Sequence, residues 1–352
     1  MKISQLVAML ALSAPVLSAT LHQPDRFQSK DVIVEKRTLD QIYAAAMNET
    51  GELIVLWGGD AVKQGDATIA AWRAKFPDIK LKLTVDVSKY HDSRVDRNYQ
   101  RNGDDGADIA VLQTLHDFGR WKRQDRLTLY KPLEWDNIYS AIKDPDGAFL
   151  GTYIYQFGNF IYNKHALNAI LAIPNDDDAI AYLFSVIIEK RGWDWFDALQ
   201  KQNVQWIRGT GEPADFLAAE NTTRALSFTT NLNGNSALAS KTPSETRFLW
   251  PQTAVIFATT PRPESSKLFM SWLISDEYQQ QFVDGGYYLA RKDLHGELES
   301  VWDDELTPLT QFATFMENRD VVEWWRLQFE TSLGTAQGVS PVLSEFGRQS
   351  SL

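Results

Sequence analysis

Apolar and polar residues alternate in blocks along the first third of the chain. Apolar residues recur at helical spacing in residues 38–51 and again in residues 66–78. Residues 52–60 (ELIVLWGGD) form a continuous apolar run before two glycines, which is typical of a strand buried on both faces of a sheet. Residues 79–87 alternate strictly, and residues 107–113 (ADIAVLQ) are again mostly apolar. Strand and helix therefore alternate, which predicts an α/β fold with a parallel sheet.

The second half of the chain repeats these patterns. Two segments, 176–202 and 264–283, carry apolar residues at helical spacing, and the first opens with three aspartates, which suit the positive end of a helix dipole. Two stretches rich in strand-forming and aromatic residues, 151–164 (GTYIYQFGNFIYNK) and 248–260 (FLWPQTAVIFATT), interrupt the alternation. They predict strands that cross from one α/β lobe to a second one.

Composition and charge narrow the class of protein. The chain has 352 residues, of which 44% are apolar, and this is enough for about two domains with their own cores. The formal net charge is −11 and no basic run occurs, which argues against nucleic acid and anionic membrane surfaces as partners. The chain contains no cysteine, and this excludes disulfides and thiolate metal ligands.

The N-terminal segment predicts secretion. Residues 1–19 combine a basic start, a short apolar run and small residues ending at Ala19, as in a cleaved signal peptide. Residues 20–37 are polar and lack periodicity, which predicts a flexible pro-segment. The pair Lys36-Arg37 is typical of propeptide processing after Arg37 in fungal secreted proteins, and an ordinary exposed basic pair is the alternative. No later segment has the length and apolar character of a membrane span, so no membrane insertion is expected.

Two sequons support the same localisation. Asn48 and Asn221 each begin the pattern Asn-x-Thr, which is an acceptor for N-glycosylation in secreted proteins. We therefore expect a secreted, extracellular glycoprotein of fungal type.

Four blocks of the sequence, in this order, carry a family resemblance: 51–87, 106–127, 205–213 and 263–294. They resemble blocks of extracellular solute-binding proteins with the type II periplasmic-binding fold, in the iron and thiamine branch of ABC transporter substrate-binding proteins. The resemblance spans about residues 40–330. It implies two α/β lobes joined by crossing strands that close on a small-molecule or ion ligand, with no catalysis and no cofactor. An ABC permease is implied as a partner by family analogy alone, and the protein is expected to be a monomer.

The predicted lobe boundaries follow from the crossing strands. Lobe I is expected to contain residues 51–152 and 252–287, and lobe II residues 153–251 and 288–345. One departure from the family concerns lobe II. In the family, about 20–30 residues commonly lie between blocks such as 160–167 and 174–184, and here the two blocks are joined almost directly. Either this lobe is shortened near 172–175 or the gene model has lost coding sequence.

Candidate ligand contacts lie where strands of the sheet end, because ligands of parallel α/β sheets bind beyond the carboxyl ends of the strands. The predicted contacts are Gly58, Gly59, Asp60, Gln64, Gln113, Thr114, His116, Tyr155, Asn159, Arg208, Gly209 and Thr210. Arg208 is a candidate partner for a carboxylate or phosphate, and Asp60 for an amine or a metal. The alternatives are a helix cap for Asp60 and a surface ion pair for Arg208.

Two neighbouring tyrosines, Tyr287 and Tyr288, raise the question of ferric iron, because phenolate oxygens bind this ion well. Adjacent strand residues point to opposite faces, so they share one metal only on an irregular backbone. The iron-binding tyrosines of the resembled family lie earlier, near residues 221–235 here, where no tyrosine occurs. Aromatic packing or hinge lining is the preferred interpretation.

Other candidate chemistry is sparse. His116-Asp117 is compatible with a metal or an acid/base pair, but polar contacts in a ligand loop are preferred and no metal is assigned. Asp60 and Asp66 are candidates for a hydrolase carboxylate pair, although the nucleophile elbow, phosphate loop and His-Glu-x-x-His motifs are missing from the sequence.

The sequence therefore predicts a secreted solute-binding protein that captures a small ligand in an inter-lobe cleft, without catalysis. The alternatives are a secreted interaction protein that kept the fold and lost the pocket, a ferric-iron binder and a hydrolase.

Overall fold

The computed structural model describes residues 31–158, 160–162, 168–174, 176, 178–220, 222–228, 237–241, 243, 248–284, 288–294, 309–336 and 340–343. The fold described below is that of residues 32–352, which form one unit. Ala19, Asn159, Asn221 and Tyr287 lie outside the described residues, so the predictions made for them stay predictions. No helix within the described ranges is both long and apolar enough to cross a bilayer.

The helices in these ranges are α1 (Leu39–Ala46), α2 (Asp66–Lys75), α3 (Ser88–Asn102), α4 (Leu115–Arg123), α5 (Asp178–Arg191), α6 (Trp193–Gln200), α7 (Glu212–Ala218), α8 (Pro263–Leu273), α9 (Asp276–Asp284), α10 (Leu309–Glu317) and α11 (Arg319–Leu333). Short 3-10 helices cover Val62–Gly65, Trp135–Asn137, Ser140–Ile142 and Pro341–Leu343. The strands are β1 (Ile33–Val34), β2 (Leu53–Gly58), β3 (Leu81–Asp86), β4 (Ile109–Leu112), β5 (Tyr130–Lys131), β6 (Leu150–Phe157), β7 (Phe160–Tyr162), β8 (Asn168–Ala172), β9 (Gln205–Ile207), β10 (Arg224–Ser227), β11 (Ala239–Lys241), β12 (Phe248–Ile256) and β13 (Tyr288–Leu289).

Lobe I is built on a six-stranded sheet with the order β13-β6-β12-β4-β2-β3. Strand β2 is parallel to β3 and β4, whereas β12 is antiparallel to β4 and β6. One apolar core joins the sheet to α1, α2, α8 and α9, and a second joins it to α3 and α4. The carboxyl ends of β2, β3 and β4 therefore meet at one edge of a sheet that is covered on both faces.

Lobe II is built on a five-stranded sheet with the order β11-β7-β10-β8-β9. Strand β8 is parallel to β9 and β10, whereas β7 is antiparallel to β10 and β11. Helices α5, α6, α10 and α11 share an aromatic-rich core, and α7 packs into a smaller one. Strand β8 ends at Ala172 and α5 begins at Asp178, so residues 173–177 join them almost directly.

Two long strands belong to both lobes. Strands β6 and β12 pair from Phe157 with Phe248 to Leu150 with Ala254. Ile154 of β6 lies in the core of lobe I, whereas Phe157, near the other end of the strand, lies in the core of lobe II. The two-lobed α/β fold with crossing strands that the sequence predicts is therefore confirmed.

Local sequence explains why the first helix and strand form where they do. Thr38 Oγ1 accepts a hydrogen bond from the backbone N–H of Gln41 (3.3 Å), and Gln41 Oε1 accepts one from the N–H of Thr38 (2.9 Å). This reciprocal capping box satisfies two amide groups that would otherwise lack partners at the start of α1. In β2, Val55 is fully buried on one face of the strand and Leu56 is 6% exposed on the other, as expected for a strand covered on both faces.

The end of the predicted pro-segment packs against lobe I. Strand β1 pairs in parallel with β5, and Tyr130 Oη donates to Glu35 Oε2 (3.0 Å). Arg37 forms ion pairs with Glu35 (2.8 Å) and Glu264 (2.7 Å). Burial alone would raise the pKa of Glu35, but the hydrogen bonds from Arg37 outweigh it and lower the pKa to about 2. Cleavage after Arg37 stays a prediction, and it would separate β1 from α1.

Candidate functional site: a cleft between the lobes

A cavity of about 170 Å³ lies between the carboxyl edge of the lobe I sheet and the facing loops and helices of lobe II. Both lobes and both crossing strands contribute to its walls. The lining residues are Gly59, Asp60, Gln64, Val87, Ser88, Lys89, Gln113, Thr114, Tyr155, Phe157, Asp176, Asp178, Ala179, Thr210, Gly211, Trp250, Phe312 and Met316. The volume is below the roughly 300–1,000 Å³ of pockets that hold drug-sized ligands, so the cavity suits a small molecule.

The loop after β2 is shaped by close contacts with its neighbours. A Cβ atom on Gly58 would lie 2.1 Å from Ser88 Oγ and 3.3 Å from Leu112 Cα. A Cβ atom on Gly59 would lie 2.3 Å from Gln64 Oε1. Gln64 accepts from the backbone N–H of Asp60 (3.3 Å) and donates to Tyr155 Oη (2.8 Å). The two glycines are therefore needed for close packing of the loop.

We expect Gly58→Ala to destabilise the protein by about 1–3 kcal/mol, because the added methyl group overlaps the Ser88 hydroxyl in a packed region. The measurement is urea unfolding at constant pH. Ser88→Ala is the matched control, since it removes the obstructing oxygen and a hydrogen bond from the Gln113 N–H (3.1 Å). The double variant is expected to lose less free energy of unfolding than the sum of the two single changes. A Gly58→Ala protein as stable as the wild type would contradict this steric explanation.

The floor of the cleft is aromatic and contains two buried polar atoms without partners. The rings of Tyr155 and Trp250 lie 5.5 Å apart, and those of Trp250 and Phe312 lie 5.4 Å apart. Trp250 Nε1 and Thr114 Oγ1 are buried, and neither has a hydrogen-bond partner within the described part of the chain. Unpaired buried polar groups cost free energy, so atoms of this kind beside a cavity indicate room for a ligand that pairs with them.

Asp60 bridges the two lobes. Its Oδ2 atom accepts three hydrogen bonds, from the Thr210 N–H (2.6 Å), the Thr210 hydroxyl (2.7 Å) and the Gly211 N–H (3.0 Å). Asp60 follows β2 of lobe I, whereas Thr210 and Gly211 precede α7 of lobe II. The side chain therefore holds the cleft closed instead of capping α2, whose N-cap residue is Gly65.

A second bridge centres on Asp176. Lys89, at the start of α3 in lobe I, donates to the Asp176 carboxylate (2.5 Å) and carbonyl. From lobe II, Arg208 pairs with both oxygens of the same carboxylate (2.7 and 3.1 Å) and also donates to Tyr90 Oη. Burial alone would raise the pKa of Asp176, but hydrogen bonds and charges from Arg208 and Lys89 lower it. The hydrogen bond to Asp176 raises the pKa of Arg208.

The charged residues that line the cavity already have partners within the protein. Asp176 pairs with Lys89 and Arg208, Asp178 pairs with Arg319 (3.2 Å), and Asp60 accepts hydrogen bonds from the neutral donors described above. The cavity therefore combines aromatic surface with polar groups and has little demand for a charged ligand.

Most of the predicted contacts surround this cavity. Seven of the contacts predicted from the sequence line the cavity: Gly59, Asp60, Gln64, Gln113, Thr114, Tyr155 and Thr210. Gly58, His116, Arg208 and Gly209 lie one or two positions from lining residues in the chain but are not among the residues that line the cavity. Their role in ligand binding stays a prediction.

Several lining residues were missed by sequence reasoning. Val87, Ser88 and Lys89 follow β3, and the strand-end rule that selected the other two loops would also have found them. Trp250 lies inside a crossing strand, and Phe312 and Met316 lie on α10. No local pattern separates these three from ordinary core residues.

His116 and Asp117 belong to a cluster beside the cleft. Asp92 of α3 joins them, and one ligand atom from each side chain lies within 4.8 Å of the other two. Burial and the neighbouring Asp117 raise the pKa of Asp92 to about 8, while burial lowers the pKa of His116. The sequence indicated the His116-Asp117 pair but not its third member.

The remaining candidates lie away from the cavity lining. Tyr288 in β13 pairs with Ile154 and packs, half-buried, against the core of lobe I. Asp66 is exposed in the first turn of α2. Asn48 is exposed just after α1, where a sequon is accessible, although its glycosylation stays a prediction.

Comparisons with known proteins agree on the fold. No family model and no curated protein sequence matches the chain. Among solved structures, iron-bound HitA from Pseudomonas aeruginosa is similar at 13% identity with a TM-score of 0.58, covering 79% of this chain and 99% of HitA. AfuA from Actinobacillus pleuropneumoniae with bound fructose-6-phosphate is similar at 15% identity and a TM-score of 0.61, covering 82% and 100%. A substrate-binding protein of an ABC transporter from Agrobacterium tumefaciens has 9% identity and a TM-score of 0.65, covering 79% and 94%.

At these identities the likeness establishes the fold alone. The chain has the two-lobed α/β fold of periplasmic substrate-binding proteins.

Proposed function

We propose that this protein is a secreted solute-binding protein that captures a small uncharged ligand in the inter-lobe cleft, without catalysis. The observation that carries the proposal is the cavity itself, which has an aromatic floor and two buried polar atoms, on Trp250 and Thr114, without partners. The similarity in fold to HitA, AfuA and the Agrobacterium protein supports binding as the role. The contact residues predicted from the sequence form part of the same proposal, and so do the predicted lobe limits, except that Tyr288–Leu289 belongs to the sheet of lobe I.

The charged residues of the cleft already have partners in the protein, and this favours an uncharged ligand. The sequence alone suggested a charged ligand, either an anion at Arg208 or a cation at Asp60. A ligand carboxylate or phosphate would have to displace Asp176 from Arg208, which breaks charge-assisted hydrogen bonds that contribute about 1.5–3 kcal/mol. A ligand amine would meet an Asp60 carboxylate whose Oδ2 atom already accepts three hydrogen bonds from Thr210 and Gly211. A neutral ligand that stacks on Trp250 leaves both bridges intact.

The other functions considered lack a comparable observation. Tyr155 is the single tyrosine among the described lining residues, so no phenolate pair is assembled for ferric iron within that set. Asp66 is exposed and does not line the cavity with Asp60, which weakens the hydrolase interpretation. An interaction protein that lost its pocket is the principal alternative, and ligand screening separates it from the proposal.

We expect thermal-shift screening to find uncharged ligands that stabilise the protein by about 2.7 kcal/mol at 100 times their dissociation constant. The screen compares matched pairs, such as free sugars with sugar phosphates and nucleobases with nucleotides, together with ferric citrate. Trp250→Phe, which keeps a ring and removes the N–H, and Thr114→Val are expected to reduce the shift. Trp193→Phe is the control, because Trp193 is 38% exposed on α6 and lies outside the cavity lining.

Three outcomes would count against the proposal. A shift confined to the charged members of the pairs would contradict the ligand class, and a shift with ferric citrate alone would favour the iron binder. No shift with any compound would favour the interaction protein that lost its pocket.

A further inference from the structure

Three side chains with metal-binding atoms meet between α3 and α4, beside the cleft. Asp92 lies on α3 one turn beyond Lys89, and His116 and Asp117 lie in the first turn of α4. One carboxylate oxygen or ring nitrogen from each lies within 4.8 Å of the other two. Ligand atoms about 2.0–2.2 Å from a tetrahedral cation are roughly 3.4 Å apart, so small side-chain rotations would bring these atoms into coordination.

Two atoms of this cluster lack the partner that buried polar atoms normally have. The Asp117 side chain is 1% exposed, and its Oδ2 atom has no hydrogen-bond partner among the residues described. His116 Nδ1 is also buried without a partner there. Such atoms are rare in native structures because each costs about 1–3 kcal/mol. His116 Nε2 lies 3.7 Å from Asp117 Oδ1, on the side of the cluster. A bound cation would give Asp117 Oδ2 a partner, which Asp92 can otherwise provide only in its protonated form.

Two carboxyl groups of the cluster can supply negative charge to a cation. Asp117 pairs through Oδ1 with Arg120, and Asp92, whose pKa is raised to about 8, has to release its proton when a cation binds. Ser93 donates to Asp92 Oδ1 (2.9 Å), which leaves the other carboxylate oxygen for a ligand. One imidazole with two carboxylates is a donor set that suits divalent transition metals.

We propose that Asp92, His116 and Asp117 form a binding site for a divalent transition-metal cation, tested with Zn²⁺ and Mn²⁺. This site is separate from the ligand cavity and departs from the expectation, drawn from the sequence, that the protein has no metal. A bound cation ties α3 to α4. Ser88 and Lys89 begin α3 and Thr114 directly precedes α4, so the cation also fixes this wall of the cleft.

Isothermal titration of the untagged full chain with Zn²⁺ and with Mn²⁺ tests the proposal. We expect saturable binding of one ion per chain for at least one of the two metals. Asp92→Asn and His116→Gln are each expected to weaken binding by about 100-fold or more, because loss of a direct ligand exceeds the roughly 10–100-fold cost of losing a supporting residue. Asp194→Asn, an exposed position on α6, is the control and should bind like the wild type.

A stability measurement separates loss of the site from loss of the fold. Without metal, Asp92→Asn is expected to melt at the same temperature as the wild type or higher, because the new amide can donate to Asp117 Oδ2. With metal, the melting temperature of the wild type should rise and that of this variant should not. Absence of saturable binding in the wild type, or binding of equal affinity in both site variants, would overturn the proposal.

Discussion

Replacing Arg126 by methionine is expected to destabilise the protein by about 3–5 kcal/mol, the largest loss we expect from a single side chain. The Arg126 side chain is 2% exposed and that of its partner Asp105 is 0% exposed. Arg126 Nε donates to Asp105 Oδ1 (2.9 Å), Nη1 donates to Asp96 Oδ1 (2.7 Å), and the guanidinium lies 4.2 Å from the centre of the Tyr99 ring. The variant leaves Asp105 buried without its charge partner.

The free energy of unfolding that Arg126→Met loses should depend on pH, and the direction follows from the pKa of Asp105. Burial raises the pKa of Asp105 even with Arg126 in place, so the folded state holds this proton more tightly than the unfolded state does. The contribution of Asp105 to the free energy of unfolding is therefore present at low pH, and it is lost as the pH rises through the pKa that Asp105 has in the folded state. Removing Arg126 raises that pKa further. The difference between variant and wild type should therefore be largest near neutral pH and shrink in acid.

Urea unfolding of matched variants checks this prediction. Arg101→Met is the control, because Arg101 is exposed and lies on α3, the helix that also carries Asp96. This variant should change the free energy of unfolding by less than about 0.5 kcal/mol. The double change Arg126→Met with Asp105→Asn should recover much of the loss, because it removes both buried charges. A loss below about 1 kcal/mol for Arg126→Met, or no recovery in the double variant, would show that the pair is not the cause.

The sequence predicts this fold well because its signals are local. A few neighbouring residues are enough to predict which positions are buried. This holds for the continuous apolar runs of β2 and β4 and for the amphipathic pattern of α1. Crossing strands were visible as aromatic, strand-forming stretches that broke the alternation. These patterns need no knowledge of distant partners.

The site was predictable only where it follows from strand ends. The loops after β2 and β4 supplied Asp60 and Gln113, because parallel strands place their carboxyl ends together. The partners of these loops come from elsewhere in the chain. Nothing near Arg208 in the sequence shows that its guanidinium forms an ion pair with Asp176, and nothing near His116 shows that Asp92 joins it in a cluster. Such pairings depend on tertiary packing.

Asp60→Ala is expected to shift the protein toward an open cleft. The carboxylate accepts three hydrogen bonds from Thr210 and Gly211, which are 150 and 151 positions away along the chain and lie on the opposite lobe. Each hydrogen bond to a charged group contributes about 1.5–3 kcal/mol, so losing all three should lower the closed-to-open ratio by at least about 10- to 100-fold. Neither lobe loses core packing, so each lobe should stay folded.

Distances between spin labels on the two lobes measure this shift directly. The chain contains no native cysteine, so cysteines introduced at the exposed positions Lys63 and Glu220 carry the labels without competing sites. We expect the distance distribution of Asp60→Ala to move to longer values and to broaden, while circular dichroism stays unchanged. Asp66→Ala is the matched control, because Asp66 is exposed and lies outside the cleft.

The same experiment separates a bridging role for Asp60 from a role in ligand contact. If Asp60 holds the lobes together, the distance shift appears without any ligand. Thr210→Val removes the hydroxyl donor alone, so it should then produce a smaller shift in the same direction. If Asp60 instead serves a bound amine or metal, the ligand-free distributions of the variant and the wild type coincide. Coincident distributions would contradict the bridging role and restore the ligand contact that the sequence alone suggested.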